Sequence, residues 1–197
     1  MGGVIIDNGN FDWLQSAKLK DRARKYGQMA FISALRQEVY RNVGACLSPH
    51  NAFMQTLGLE TLGLRIDKSC RNALQLAKFL RHSPKVQAVH YPGLADSPFH
   101  EIATRQFGGK YGGILTFDMG SVEHCFTLMN ALQVIRRATN INDNKTLILH
   151  PASTIFAEYS DEEKVVMGIR PTMLRLSVGI EDLEDILEDL QRGLDSL

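Results

Sequence analysis

Met173-Leu174-Arg175-Leu176-Ser177-Val178-Gly179-Ile180-Glu181-Asp182 reads as a strand that runs into a helix start. With a period of two, Leu174, Leu176 and Val178 face one way, and Met173, Arg175 and Ser177 the other. Glu181-Asp182 then opens a helix where negative charge favours the helix dipole. That helix carries Leu183, Ile186, Leu187, Leu190 and Leu194 as an apolar stripe, with an acidic opposite face. A strand and a helix with one apolar face each need a common core, so the C-terminal part predicts a sheet with helices packed on one side.

Working back from this stretch, the same texture extends to Pro84. Val86 to Tyr91 reads as a strand ended by Pro92-Gly93, and Ile114 to Phe117 as a second strand. Ser97 to Gln106 predicts loop and a short helix, and Ser121 to Leu132 has helical spacing. Val134 to Ile141 is a third candidate strand, with Met173 to Ile180 the fourth. The fold class expected is α+β over 84–197, with a small, mainly antiparallel sheet. Before it, Ser48-Pro49 offers a hydroxyl cap and a proline at the first helical position. A helical pattern runs from there to Arg81, with Gly58 and Gly63 as places for a break, and Ser83-Pro84 stops it. Its length suits a crossover between domains. Leu19 to Arg41 predicts another helix, and Asp12 to Gln15 a short one. Val4-Ile5-Ile6 reads as a buried strand whose neighbouring strands are supplied elsewhere.

The chain has 197 residues, 44% apolar and 22% charged, with 22 basic and 22 acidic side chains. This composition excludes a disordered chain and argues against a nucleic-acid binder, which carries a basic excess for phosphates. No apolar run approaches the roughly 18–20 residues that span a bilayer. Met1 to Asp7 lacks the basic start of a signal peptide, so no leader is expected. Cys46, Cys70 and Cys125 have no disulfide or metal spacing and are expected to be free thiols in a reducing cytoplasm.

Few residues advertise chemistry by themselves. Arg175 on an otherwise apolar strand is either a fork for an anionic group or a solvent-facing arginine. Asn140, Asn142, Asp143 and Asn144 fit turn chemistry. His150 before Pro151 fits a hydrogen-bonded structural histidine. Gly108 to Gly113 lacks the order of a phosphate-binding loop. His82, His90, His100 and His124 have no metal-ligand spacing, and no nucleophile elbow occurs.

Several segments together resemble the Cys/Met-metabolism, or transsulfuration, family of pyridoxal-phosphate enzymes, which are of fold type I. They are Gly2 to Asp7 with Asn10 to Trp13, Gly44 to Phe53, Gly58 to Leu62, His90 to Leu94, Thr139 to Ser153, and Arg175 to Asp182. They occur in the family's order along essentially the whole chain. The wording of Thr139-Asn140-Ile141 with Asp143 and Lys145-Thr146-Leu147 is most similar to O-acetylhomoserine sulfhydrylases. Methionine γ-lyase and cystathionine γ-synthase are near relatives. His50, Asn142 and Ile155-Phe156 depart from the family's usual residues, and Asn142 can adopt positive φ at modest cost.

The resemblance implies the C-terminal part of such an enzyme. Residues 1–47 would be the end of the large cofactor domain, 48–83 the crossover helix and 84–197 the small C-terminal domain. It implies that Arg175 binds the α-carboxylate of an amino-acid substrate and that Asn140 helps. The parent reaction is γ-replacement on an activated homoserine, giving homocysteine for methionine biosynthesis. The family's cofactor lysine precedes the segment that Gly2 to Asp7 resembles. None of the nine lysines (Lys18, 20, 25, 68, 78, 85, 110, 145 and 164) matches its motif. The chain by itself is therefore expected to bind no pyridoxal phosphate and to be inactive. It is expected to work as a homo-oligomer or with a partner chain carrying the N-terminal half. A non-catalytic truncated or split-gene module is the alternative.

Overall fold

The computed structural model describes residues 2–197, which fall into two compact units, one ending at Glu60 and one spanning Thr61–Leu197. The first unit is helical. A 3-10 turn at Trp13–Gln15 is capped by Asp12, whose carboxylate accepts from the Leu14 amide (3.1 Å). Then come α1 (Lys20–Tyr26), a 3-10 turn (Gly27–Met29), α2 (Ala30–Ala34), a π-helical turn (Leu35–Tyr40) and α3 (Arg41–Val43). The continuous helix expected from Leu19 to Arg41 is thus broken. Gly27 ends α1 at φ +56°, a conformation that residues with side chains rarely adopt. Trp13 stacks on Phe31 (5.1 Å between ring centroids). Ala23, Ala30 and Ala34 are the unit's buried apolar residues.

Val4 to Ile6 form no strand, and Ile6 is 81% exposed. An extended apolar run becomes a strand only where another strand accepts its backbone hydrogen bonds, and the described residues offer none. The last helix of this unit, α4 (Pro49–Glu60), starts where the sequence places it: the Asn51 amide donates to Ser48 Oγ (3.2 Å). No residue of α4 is buried, and Phe53, Met54, Leu57 and Leu59 are exposed.

In the second unit α5 (Leu62–His82) follows a break at Thr61, between the two glycines expected to permit one. It leads into β1 (Val86–His90), α6 (His100–Phe107), β2 (Ile114–Met119), α7 (Val122–Ala131), β3 (Arg136–Arg137), β4 (Leu147–Leu149), α8 (Asp161–Val166), β5 (Met173–Ser177) and α9 (Leu183–Asp195). The five strands lie in the order β1-β2-β5-β4-β3. All neighbours are antiparallel except β3 and β4, which run parallel. The arrangement is the α+β one expected, with β5 at its centre.

Three departures have local causes. The strand expected over 134–141 shrinks to the two residues of β3, because Thr139 onward turns away. The fully buried β4 has only three residues, too few for a period to show. The short α8 is set by a capping box: Ser160 Oγ accepts from the Glu163 amide (3.2 Å), and the Glu163 carboxylate accepts from the Ser160 amide (2.8 Å).

The core lies between one sheet face and α5, α7 and α9. Leu115, Phe117, Ile148, Leu174 and Leu176 come from the sheet and Val178 from just past β5, and all are buried. Leu76 and Leu80 of α5, Leu128 of α7 and Ile186 and Leu190 of α9 meet them. Each such side chain contributes about 1.5–3 kcal/mol by leaving water. Cys70 and Cys125 are buried free thiols and Cys46 is an exposed one. Burial, then the charge of Asp118, pushes the Cys125 thiol up to about 11.

Asp189 contradicts the reading of α9 as apolar on one face and wet on the other. It is 0% exposed. Its carboxylate accepts from the amides of Gln133 (2.8 Å), Val134 (2.9 Å) and Ile135 (2.9 Å), and from Arg192 Nη1 (2.6 Å). Three backbone donors between α7 and β3 thereby find one acceptor. Asp189→Ala takes the acceptor from the buried Ile135 amide and from the part-buried bonds of Gln133 and Val134. Its stability in urea should fall by about 3 kcal/mol, and that of Asp189→Asn, which keeps one acceptor oxygen, by about half as much.

Candidate functional site

The sheet face opposite the helices carries the polar residues of β1, β2 and β5. His90 pairs across to Thr116, Thr116 to Arg175, and Arg175 to Leu149, forming one row over four strands. Asp118, two residues beyond Thr116, is buried and joins His90 Nε2 (2.8 Å) to Arg170 Nε (2.8 Å). The Arg170 charge is thereby balanced.

The Arg175 charge is not. Among the described residues no carboxylate lies within ion-pair distance of it. Its Nη2 donates to the carbonyls of Thr139 (2.8 Å) and, at a longer 3.4 Å, Asn140. Its Nε is buried with no hydrogen-bond partner. Desolvation accordingly lowers the guanidinium pKa from its ordinary value. An unsatisfied buried donor costs about 1–3 kcal/mol, so the arrangement favours an anion that takes up this group. Both sequence-predicted residues are therefore brought together, although Asn140 meets Arg175 through its backbone carbonyl.

The loop from Thr139 to Thr146 is fastened at both ends. Near the middle, Asn142 takes φ +55°, and its amide donates to Ser177 Oγ (2.9 Å). At the far end, the Glu181 carboxylate accepts from Thr146 N (2.6 Å) and Thr146 Oγ1 (2.8 Å). The Thr146 hydroxyl oxygen in turn accepts from the Gly179 amide (3.0 Å), and the Asn144 carbonyl from the Ile180 amide (2.9 Å). Any Cβ at Gly179 would stand 2.4 Å from the Asn144 carbonyl oxygen, so only glycine admits this approach. From the helix side, Ser69 donates to the Val178 carbonyl (2.7 Å), and Asn72 to those of Gly179 (3.3 Å) and Glu181 (3.0 Å). Ser177, Thr146, Glu181 and Asn72 were not singled out in the sequence. Each is an ordinary polar residue whose partners lie more than 30 positions away.

The remaining candidates are structural. His150 Nε2–H donates to the Pro171 carbonyl (2.6 Å), and its Nδ1 accepts from Ser153 Oγ (2.8 Å). Among the described residues no group of three His, Cys, Asp or Glu side chains is placed to hold a metal ion.

A model of the Cys/Met metabolism PLP-dependent enzymes matches residues 1–195. The chain belongs to this family. It is 36% identical to the O-acetyl-L-homoserine sulfhydrylase 1 of Thermus thermophilus, an alignment covering 98% of this chain and 49% of that protein. It is 40% identical to the L-methionine gamma-lyase of Pseudomonas putida, over 85% of this chain and 42% of the other. The solved O-acetylhomoserine sulfhydrylase of Wolinella succinogenes is 48% identical and superposes with a TM-score of 0.78, over 94% of this chain and 50% of its own. The chain thus spans about half the length of the curated sulfhydrylases it matches.

The family is pyridoxal-phosphate-dependent, but the lysines described here do not fit covalent attachment of that cofactor. Lys68, Lys110 and Lys164 pair with Asp182 (3.5 Å), Asp67 (2.6 Å) and Asp161 (3.4 Å), and Lys85 donates to the Leu194 carbonyl (2.7 Å). The hydrogen bond to Asp67 raises the Lys110 pKa, opposite to what a nucleophilic amine needs. Lys18, Lys20, Lys25, Lys78 and Lys145 are exposed. No catalytic step through the cofactor is assigned to this chain.

Proposed function

We propose that this chain is the C-terminal part of an O-acetylhomoserine sulfhydrylase-like enzyme and supplies its substrate-carboxylate site. The observation that carries the proposal is Arg175, a half-buried guanidinium on the central strand with no carboxylate partner and an orphaned Nε. In the enzyme, Arg175 grips the α-carboxylate of an activated homoserine, and Asn140 helps hold the same carboxylate. Two-point binding of a planar carboxylate fixes the amino acid's orientation, so that the reacting bond can be aligned. Pyridoxal phosphate held by the rest of the enzyme would supply an electron sink for exchange of the γ-substituent by a sulfur nucleophile, which would give homocysteine. Residues 1–47 end the cofactor domain, 48–83 cross over, and 84–197 form the substrate-side domain.

The methionine gamma-lyase relative supports a second reading, in which the same carboxylate grip serves γ-elimination. A cystathionine γ-synthase reaction would also use it. Arg175 recognises the part of the substrate common to all three.

The cofactor lysine comes from outside this chain, either from an N-terminal half on a partner polypeptide or from the remainder of a longer protein. The assembled enzyme is oligomeric and cytoplasmic, with no nucleic-acid or membrane partner. No described helix is long and apolar enough to cross a membrane. The exposed apolar side chains of Val4, Ile6, Phe53 and Leu59 support burial of the first unit against other protein. A non-catalytic module that only assembles would share that surface but would leave Arg175 unexplained.

Purified chain incubated with pyridoxal phosphate, dialysed and reduced with borohydride should be colourless and carry no cofactor mass on any lysine. Retained colour with the cofactor fixed on one of the nine lysines would overturn the assignment. In the assembled enzyme, Arg175→Lys keeps the charge and loses the planar fork. Its KM for the amino-acid substrate should rise roughly tenfold or more. An unchanged KM would remove Arg175 from the site.

A further inference from the structure

Ser177 lies two residues beyond Arg175 on the same face of β5 and is 1% exposed. A buried hydroxyl needs a partner, and this one accepts the Asn142 amide at 2.9 Å. Asn142 is the one non-glycine with positive φ among the described residues. Asparagine adopts that conformation at modest cost, and the bond from its amide to Ser177 Oγ fastens the turn. The turn so held begins at Thr139 and Asn140, whose carbonyls accept from Arg175 Nη2. The chain of contacts therefore runs from Ser177 Oγ through the Asn142 turn to the guanidinium.

We propose that Ser177 is a positioning residue for carboxylate recognition, acting through the loop from Thr139 to Asn142. This rests on the reading of Arg175 as the carboxylate anchor. A long arginine side chain searches many rotamers, and two loop carbonyls restrict it only while the loop itself is fixed. Thr146 and Glu181 fix the loop's far end, but they also join it to the start of α9. Ser177 touches it at one backbone atom and gives the cleaner handle.

The test uses Ser177→Ala and Ser177→Thr in the cofactor-loaded enzyme that contains this chain. Amide exchange over 139–146 should become roughly tenfold faster in S177A, with the α5 and α9 peptides unchanged. KM for the amino-acid substrate should rise roughly tenfold with kcat within about twofold. S177T, which keeps the acceptor oxygen, should return both toward wild type. Wild-type exchange and KM in S177A would overturn the inference. So would a loosened loop with unchanged KM in a preparation where Arg175→Lys does raise KM; the anchor reading would then survive. If Arg175→Lys also leaves KM unchanged, the anchor reading has failed, and the inference with it.

Discussion

Alternation along β5 sets the terms for everything around it. Leu174 and Leu176 point into the helical core, so Arg175 and Ser177 must point to the opposite face of a strand flanked on both sides. The Arg175 side chain is half-buried there, with its Nε shut off from hydrogen-bond partners. Its neighbours supply two carbonyls and no carboxylate. The nearby Arg170 shows what a settled arginine looks like in this fold, with Asp118 beside it. The two arginines thus differ: Arg170 has a carboxylate partner, whereas Arg175 has backbone carbonyls and an Nε without a hydrogen-bond partner.

The polar network around β5 reinforces that division. Asn72 and Ser69 of α5 hold the carbonyls of Val178, Gly179 and Glu181 from the core side. Glu181 and Ser177 hold the 139–146 loop from the other. Gly179 lets the loop come close enough for both. The segment after β5 is thus locked to the core and to the site at once, which is how a short loop can hold a guanidinium within hydrogen-bond distance.

Elements with a sustained period were legible in the sequence. β1, β2, α7 and α9 lie where apolar spacing places them, and the Ser48-Pro49 start and the Ser83-Pro84 stop hold. What failed depends on distant partners. Val4 to Ile6 have strand composition but no strand beside them among the described residues. β4 is three residues long and is made a strand by β5, from 24 residues later in the chain. Asp189 sits among acidic residues of α9, and its role comes from three amides more than 50 positions upstream. The capping box at Ser160 and Glu163 has a local sequence signature, a serine followed three residues later by a glutamate. Arg175 is intermediate: alternation placed it on the polar face, but only the family resemblance raised it above a solvent-facing strand arginine.

The most direct measurement is a structure of the assembled enzyme with its amino-acid substrate bound. The substrate carboxylate oxygens should lie about 3 Å from the Arg175 guanidinium nitrogens, with Nη2 still held by the Thr139 carbonyl. A carboxylate bound elsewhere, with the Arg175 guanidinium still lacking an anionic partner, would contradict the assignment of this face as the substrate site.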